Sequence, residues 1–418
     1  MSAERLIVSM DKNKNTLLRI MSSVLFNYDL PHLNEIDWKA LYHEAKMQAV
    51  FLQVFNKILP CLPKSEISSW EKAAMRVYAQ NLEITREHGR LHKVMTSHGI
   101  PYITIKGLAS AKYYVEPLDR MLGDVDFIVA QDRIEEAYRL VLGLGYKIPE
   151  SDMIDLSKDL EFHGSQGAHK VVWELHPEVS SLPSGEVGET VREYLSDLIE
   201  TGKEYIVGKE KCIIPDEKHH CLILLVHMAG HLINEGVGLR HLCDWAAFLN
   251  RITDEDFNSE FVEMLQTCGL YRFAQIVTLV CEKYLGMPKR SWSGEAEETL
   301  LEDLLNDILV GGNFGFKDRS RYQHAKYIGS VGDDAAEQRK PLQQVFYSIH
   351  KKAKRTHPLL MRYFLTYPLG WGVVALEYSL LLLTGRRGRH NPVSVIKEAG
   401  RRKDIYKELR IYKTYGTK

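Results

Sequence analysis

From Ile100 to Val129 the chain reads I-P-Y-I-T-I-K-G-L-A-S-A-K-Y-Y-V-E-P-L-D-R-M-L-G-D-V-D-F-I-V, and this stretch restricts the fold more than any other. Tyr102 to Ile105 is a β-branched and aromatic run that stops at Lys106-Gly107, and Leu108 to Tyr114 has helical composition, so the reading is strand, glycine turn, helix start. Pro117 breaks the helix, Arg120 lies beyond it, and Gly123 opens a second strand, Asp124 to Val129. Residues two apart on a strand share a face, so Asp124 and Asp126 project together while Val125, Phe127 and Val129 face the other way. Two ionised carboxylates side by side repel, and they stay charged with a bound cation or free access to water. Mg²⁺ takes one or two carboxylates, waters and substrate phosphates. Beside a glycine turn and a helix N-terminus, whose N–H groups favour anions, the pair reads as a site for a metal-bound polyphosphate. A polar strand edge is the plain alternative for any isolated D-x-D.

Further on, Glu161 to Ser165 and Lys170 to His176 flank a Gln166-Gly167-Ala168 turn and read as a hairpin. On its second strand Val172, Glu174 and His176 share one face, and Val171, Trp173 and Leu175 the other. An acid in such an apolar run is costly unless it meets a cation, which singles out Glu174. His163 and His176 are either cleft-lining or plain strand-edge histidines.

The order strand, K-G, helix, Arg, acidic strand, preceded by a long helix ending in G-I-P and followed by V-V-W-E-L-H, resembles the nucleotidyltransferase superfamily typified by DNA polymerase β. More narrowly it resembles a bacterial branch of uncharacterised nucleotidyltransferases. The likeness is specific over residues 99–176 and loose over most of the chain. It implies an α+β fold in which a small mixed polymerase β-like sheet is embedded in a predominantly helical protein. It also implies Asp124 and Asp126 as metal ligands, Glu174 as the third carboxylate, and two Mg²⁺ ions. The activity implied is transfer of a nucleoside monophosphate from an NTP, with ATP the first expectation, to a small-molecule, glycan or protein acceptor, releasing pyrophosphate. Gly107 would let the backbone approach the triphosphate, with Lys106, Arg120 and His176 beside it. The superfamily has Gly-Ser or Gly-Gly where this chain has Gly107-Leu108, which leaves Ser110 or Lys106 to make that serine's phosphate contact.

Around this stretch the chain reads as helices. Trp38 to Leu59 is one, and a long helix after Pro63-Lys64-Ser65 carries Ile67, Trp70, Ala74, Val77, Ile84, Leu91 and Val94 on one stripe, with Gly99 to cap it and Pro101 to stop it. Gln131 to Leu144 is a further helix, Ser180 to Gly188 a polar loop, and Tyr205 to Ile214 a last strand pair closing the sheet. Asp216 is placed to cap a helix on which His220, His227 and His231 share a face. The H-M-A-G-H spacing suits zinc, but the glutamate of H-E-x-x-H is missing, which disfavours a zinc hydrolase. Two readings stay open here. Either this helix forms a wall of the substrate cleft with Arg240, His241 and Asp244, or Arg240 and Asp244 make a surface salt bridge on the next helix. Gly311 to Phe316 is a helix-ending glycine turn or an approach to nucleotide. Four segments result: a helical bundle over 1–98, the α/β core over 99–214, a helical substrate-side domain over 215–335, and basic helices over 336–418.

A net charge of −1 conceals an asymmetry, because residues 341–418 carry 16 Lys and Arg against 4 Asp and Glu. An acidic body with a basic tail argues against a sequence-specific nucleic-acid partner and suits peripheral contact with an anionic membrane surface through 341–418. Phe364 to Thr384 is about as long as a bilayer span and is flanked by Arg362, Arg386, Arg387 and Arg389. Pro368, Gly370, Gly372 and Glu377 within it favour packing on the protein or docking on a membrane over crossing one. Scattered cysteines and a first segment without signal-peptide order point to the cytoplasm, at most peripheral to the inner membrane. From another class, a catalytically silent nucleotide-binding or scaffolding protein at the membrane surface fits the altered Gly107-Leu108 turn and the basic apolar tail.

Overall fold

A computed structural model describes residues 12–33, 35–149, 154–164, 171–315, 317, 341–383 and 392–414. The long helix forms over Lys64–Ser97 and buries Trp70, Ala74, Ile84 and Leu91 of the expected stripe. It ends at Gly99, whose φ of +62° allows the Ile100 N–H to return to the Met95 carbonyl at 2.9 Å. The expected Trp38 to Leu59 helix is instead two, Trp38–Met47 and Phe51–Ile58. Between them Ala49 adopts a φ of +54°, and Gln48 is buried. The Gln48 amide donates to the Leu309 carbonyl at 3.1 Å and accepts from the Leu239 N–H at 2.9 Å, so tertiary bonds hold a break that local propensity does not select.

Five strands make a mixed sheet in the order β1-β2-β5-β4-β3: β1 Tyr102–Thr104, β2 Val125–Val129, β3 Tyr146–Lys147, β4 Leu160–Gly164 and β5 Trp173–His176. β2 and β5 run parallel, and every other neighbouring pair is antiparallel. The fold class is α+β, as expected. Val125, Phe127, Val129, Trp173 and Leu175 enter a core with Leu91 and Met95, while Ile103 and Ile128 on the opposite face join a larger helical core. That second core gathers helices Lys12–Phe26, Phe51–Ile58, Glu217–Asn234, Leu239–Leu249, Tyr271–Leu285 and Glu298–Gly311. The alternation of the strands therefore places Asp126 and Glu174 between sheet and helices. The Gln166-Gly167-Ala168 turn lies outside the described residues.

Other expectations are corrected. β6 Lys203–Val207 and β7 Glu210–Ile214 form their own two-stranded sheet and do not close the first. The Tyr102 hydroxyl, accepting from the Ile213 N–H at 3.2 Å, ties them to β1. The Ser180 to Gly188 loop gives way after Gly185 to a helix, Glu186–Tyr194, with Glu186 and Glu189 in the first turn complementing its dipole. Asp216 caps Glu217–Asn234 as expected, accepting from the His219 N–H at 2.9 Å. In the tail, Tyr367–Leu383 packs on Pro341–Thr356 through Val374 and Ala353, and Glu377 meets Lys352 at 3.3 Å and His357 at 2.9 Å. No helix among the described residues is long and apolar enough to cross a membrane. Thr384, Arg386, Arg387 and Arg389 fall outside the described residues.

Candidate active site

Strand pleat builds the site. The parallel register sets Asp126 opposite Glu174 and Ile128 opposite His176. One ligand atom from each of Asp126, Glu174 and His176 lies within 4.8 Å of the others. Asp126 Oδ1 accepts from Lys106 Nζ at 2.8 Å and from His176 Nε2 at 2.9 Å. His176 Nε2 is also 3.3 Å from Glu174, and its Nδ1 lies 2.8 Å from Asp159 and 2.9 Å from Ser180 Oγ. Lys106, Gly107, Ser110, Arg120, Asp124, Asp126, Glu174 and His176, named from the sequence, all line one cavity of about 490 Å³.

Burial favours the neutral form of every ionisable group here, and neighbours decide the outcome. At Asp126 burial pushes the pKa up, but Lys106 and His176 outweigh it and hold the carboxylate well below its ordinary range. Burial also opposes charge on His176, yet hydrogen bonds to Asp126, Asp159 and Glu174 hold the imidazole well above its usual value. Asp124 goes the other way. Burial, then the charges of Asp126 and Glu174, push its carboxyl up to about 8, with Lys106 opposing. The pocket holds more carboxylates than its own cations can keep ionised.

Arg120 lines the cavity with its guanidinium matched by an acid. Its Nε and Nη2 donate to Asp244 Oδ1 and Oδ2, each at 2.7 Å, and Tyr114 adds a hydroxyl donor to Oδ1 at 2.8 Å. Arg120 Nη1 also donates to the Gly107 carbonyl at 3.3 Å, bracing the glycine turn from behind. Gly107 has a φ of +55°, a conformation that side chains with a Cβ rarely adopt. The helix after it is a single turn, Leu108–Ala111, and does not reach Tyr114. Lys112 turns away to Glu217 at 2.7 Å and Tyr113 stacks on His220. The Arg240/Asp244 surface bridge is not formed, because buried Asp244 is taken by Arg120. Arg240 lies over the Phe314 ring at 5.2 Å and donates to the Met121 carbonyl at 3.3 Å.

Sequence reasoning missed Asp159 and Ser180, and held Phe314 only within a stretch of two readings. β4 pairs Leu160 with Leu175, which carries Asp159, one residue before the strand, to the side of His176. Ser181 reaches the cavity wall because Gly230 has no side chain; a Cβ there would lie 2.3 Å from the serine Cβ. The Gly311 to Phe316 stretch does end a helix, and Phe314, at a φ of +52°, reaches the cavity; Phe316 lies outside the described residues. His163, by contrast, is exposed on β4 opposite Lys147, away from the cavity. The three helix histidines separate as well. His227 and His231 line the cavity with His241, whereas His220 is buried with its Nδ1 2.9 Å from the Tyr113 hydroxyl.

Residues 34–286 match the model of a family described as uncharacterised nucleotidyltransferase. The crystal structure of an antigenic nucleotidyltransferase-like protein from Paracoccidioides brasiliensis aligns at 14% identity and a TM-score of 0.33, covering 50% of this chain and 94% of that one. No curated protein matches the chain.

Proposed function

We propose that this chain, which belongs to the uncharacterised nucleotidyltransferase family, moves a nucleoside monophosphate from an NTP to an acceptor with release of pyrophosphate. The observation that carries this reading is the meeting of Asp126 and Glu174 across β2 and β5, beside Lys106 and a glycine turn. The donors fit Mg²⁺, since carboxylate oxygens are the hard ligands it takes, and the excess of acids is what a cation relieves. Asp124 and Asp126 would hold two ions between them, with Glu174 completing the acceptor-side site. When bound, Mg²⁺ neutralises phosphate charge and lowers the pKa of an acceptor hydroxyl.

The chain's own residues hold this arrangement in place. His176 fixes Asp126 by its 2.9 Å hydrogen bond and, through Ser180, ties the following loop to the sheet. Lys106, engaged with Asp126 and next to Gly107 in the chain, would turn to the triphosphate. Arg120, matched by Asp244, would hold the backbone of Gly107 beside the triphosphate. To test the reading, melting shifts are measured with each NTP and Mg²⁺, followed by pyrophosphate release with pools of hydroxyl and phosphate acceptors. Release that is lost in Asp126→Asn supports transfer; binding with no release from any pool favours the silent, scaffolding reading.

One observation keeps that second reading in view. Leu359, Phe364 and Leu365 are each at least 80% exposed within the strongly basic tail. Apolar tips among cations suit an anionic bilayer surface. Flotation with phosphatidylserine vesicles tests this, and recovery equal to that with neutral vesicles argues against it.

A further inference from the structure

Across the cavity from the acidic strands stands a second cluster that nucleotidyl transfer does not use. His227 and His231 lie one turn apart on helix Glu217–Asn234, and His241 comes from helix Leu239–Leu249. One ring nitrogen from each lies within 4.8 Å of the other two, and the ring centroids are 4.2, 5.6 and 5.6 Å apart. No hydrogen bond joins the three rings to one another. His241 is 4% exposed, and its Nε2 is buried without any partner. An imidazole nitrogen shut away from water and left unbonded is costly, and two more imidazoles beside it are better explained by a shared ligand than by packing.

We infer that His227, His231 and His241 bind a zinc ion. Imidazole is a preferred ligand of Zn²⁺, and three protein ligands leave a fourth position open. Here that position would face the cavity that the acidic site also lines. Glu235, 3.2 Å from His231 Nδ1, supplies the outer carboxylate that fixes the ring and leaves its Nε2 free for metal. Tetrahedral coordination at about 2.0–2.1 Å would set the three nitrogens within the 4.8 Å that now bounds their separations. The Gly238 N–H donates to His241 Nδ1 at 3.3 Å, a long contact that is given up as the imidazole proton moves to Nδ1. Lys106 and Arg240 line the same cavity and oppose a cation, while Glu235 and the carboxylates of the sheet wall offset them. The missing glutamate of H-E-x-x-H bears on hydrolysis and not on metal binding, and the third ligand comes from a helix that spacing alone did not implicate.

The test reads metal, not turnover, so it stands whether or not nucleotidyl transfer does. The full chain is stripped with chelator, equilibrated with Zn²⁺ in excess Mg²⁺ so that the acidic site does not take up zinc, and assayed for bound zinc, with Co²⁺ substitution giving the visible bands of a tetrahedral nitrogen site. The expected result is one Zn²⁺ per chain in wild type and in Asp126→Asn, bound at least about tenfold more weakly in His231→Ala and in His241→Phe. Circular dichroism checks that both histidine variants fold, and the Co²⁺ spectrum of wild type decides the matter should either fail. Zinc absent from wild type, retained at full affinity in both histidine variants, or lost in Asp126→Asn overturns the inference.

Discussion

Arg120 and Asp126 are both buried, both charged and both on the wall of one cavity, yet their surroundings differ in kind. Arg120 meets one carboxylate in a two-pronged pair, with a tyrosine hydroxyl completing the same acid. Its charge is closed, and its remaining donors brace backbone. Asp126 sits among Asp124, Asp159 and Glu174, with Lys106 and His176 in direct contact with it, and one of those acids, Asp124, holds its proton up to about 8. A saturated buried pair is architecture, while an unbalanced cluster open to a cavity is built for a charged visitor.

That contrast breaks most readily at Asp126. In Asp126→Asn the transfer rate falls at least about 10³-fold while the melting temperature moves little, because the amide oxygen still accepts from Lys106. A variant with near wild-type pyrophosphate release would place Asp126 on the architectural side. Asp244→Ala should behave in the opposite way and lose about 3–5 kcal/mol of unfolding free energy in urea, since Arg120 is left buried without a partner. A loss below about 1 kcal/mol would show that the pair is not structural. Asn81 tests the scaffold more gently. Its amide donates to the Leu118 and Arg120 carbonyls at 2.7 and 3.0 Å and accepts from the Leu122 N–H at 3.0 Å, so it holds the segment leading into β2. Asn81→Ala should cost about 1–3 kcal/mol in the same titration, and an unchanged midpoint would mean that the segment holds itself.

The smallest effect is electrostatic. Folded Asp124 keeps its proton up to about 8, whereas the unfolded residue releases it near 3.8, so between these values the folded state binds more protons and stability falls as pH rises. His176, raised well above 6.5, acts in the same direction from 6.5 upward, and Asp126, held low, favours folding above 3.8. Without divalent cations, wild type should therefore lose more melting temperature than Asp124→Asn between about pH 5 and pH 8, and excess Mg²⁺ should remove the difference. Parallel melting curves for the two proteins would contradict the raised carboxyl.

What could be read in advance follows the range of the forces involved. Period-two alternation is local, so the common face of Asp126 with Ile128 and of Glu174 with His176 was legible, as was the stripe of the helix Lys64–Ser97. The break at Gln48 was not, because its partners at Leu239 and Leu309 lie far along the chain. Asp244 looked like a neighbour for Arg240 at helical spacing, yet a guanidinium 124 residues away claims it. The helix after Gly107 was overestimated because composition does not reveal that Lys112 and Tyr113 have partners on another helix.

The most direct measurement is Mn²⁺ binding followed by electron paramagnetic resonance, since Mn²⁺ suits the same oxygen ligands as Mg²⁺. Titrated with and without ATP, wild type should bind Mn²⁺ and bind it more tightly with nucleotide, while Asp126→Asn and Glu174→Gln lose both effects. Equal Mn²⁺ binding by all three proteins would contradict a cation gripped jointly by those two acids.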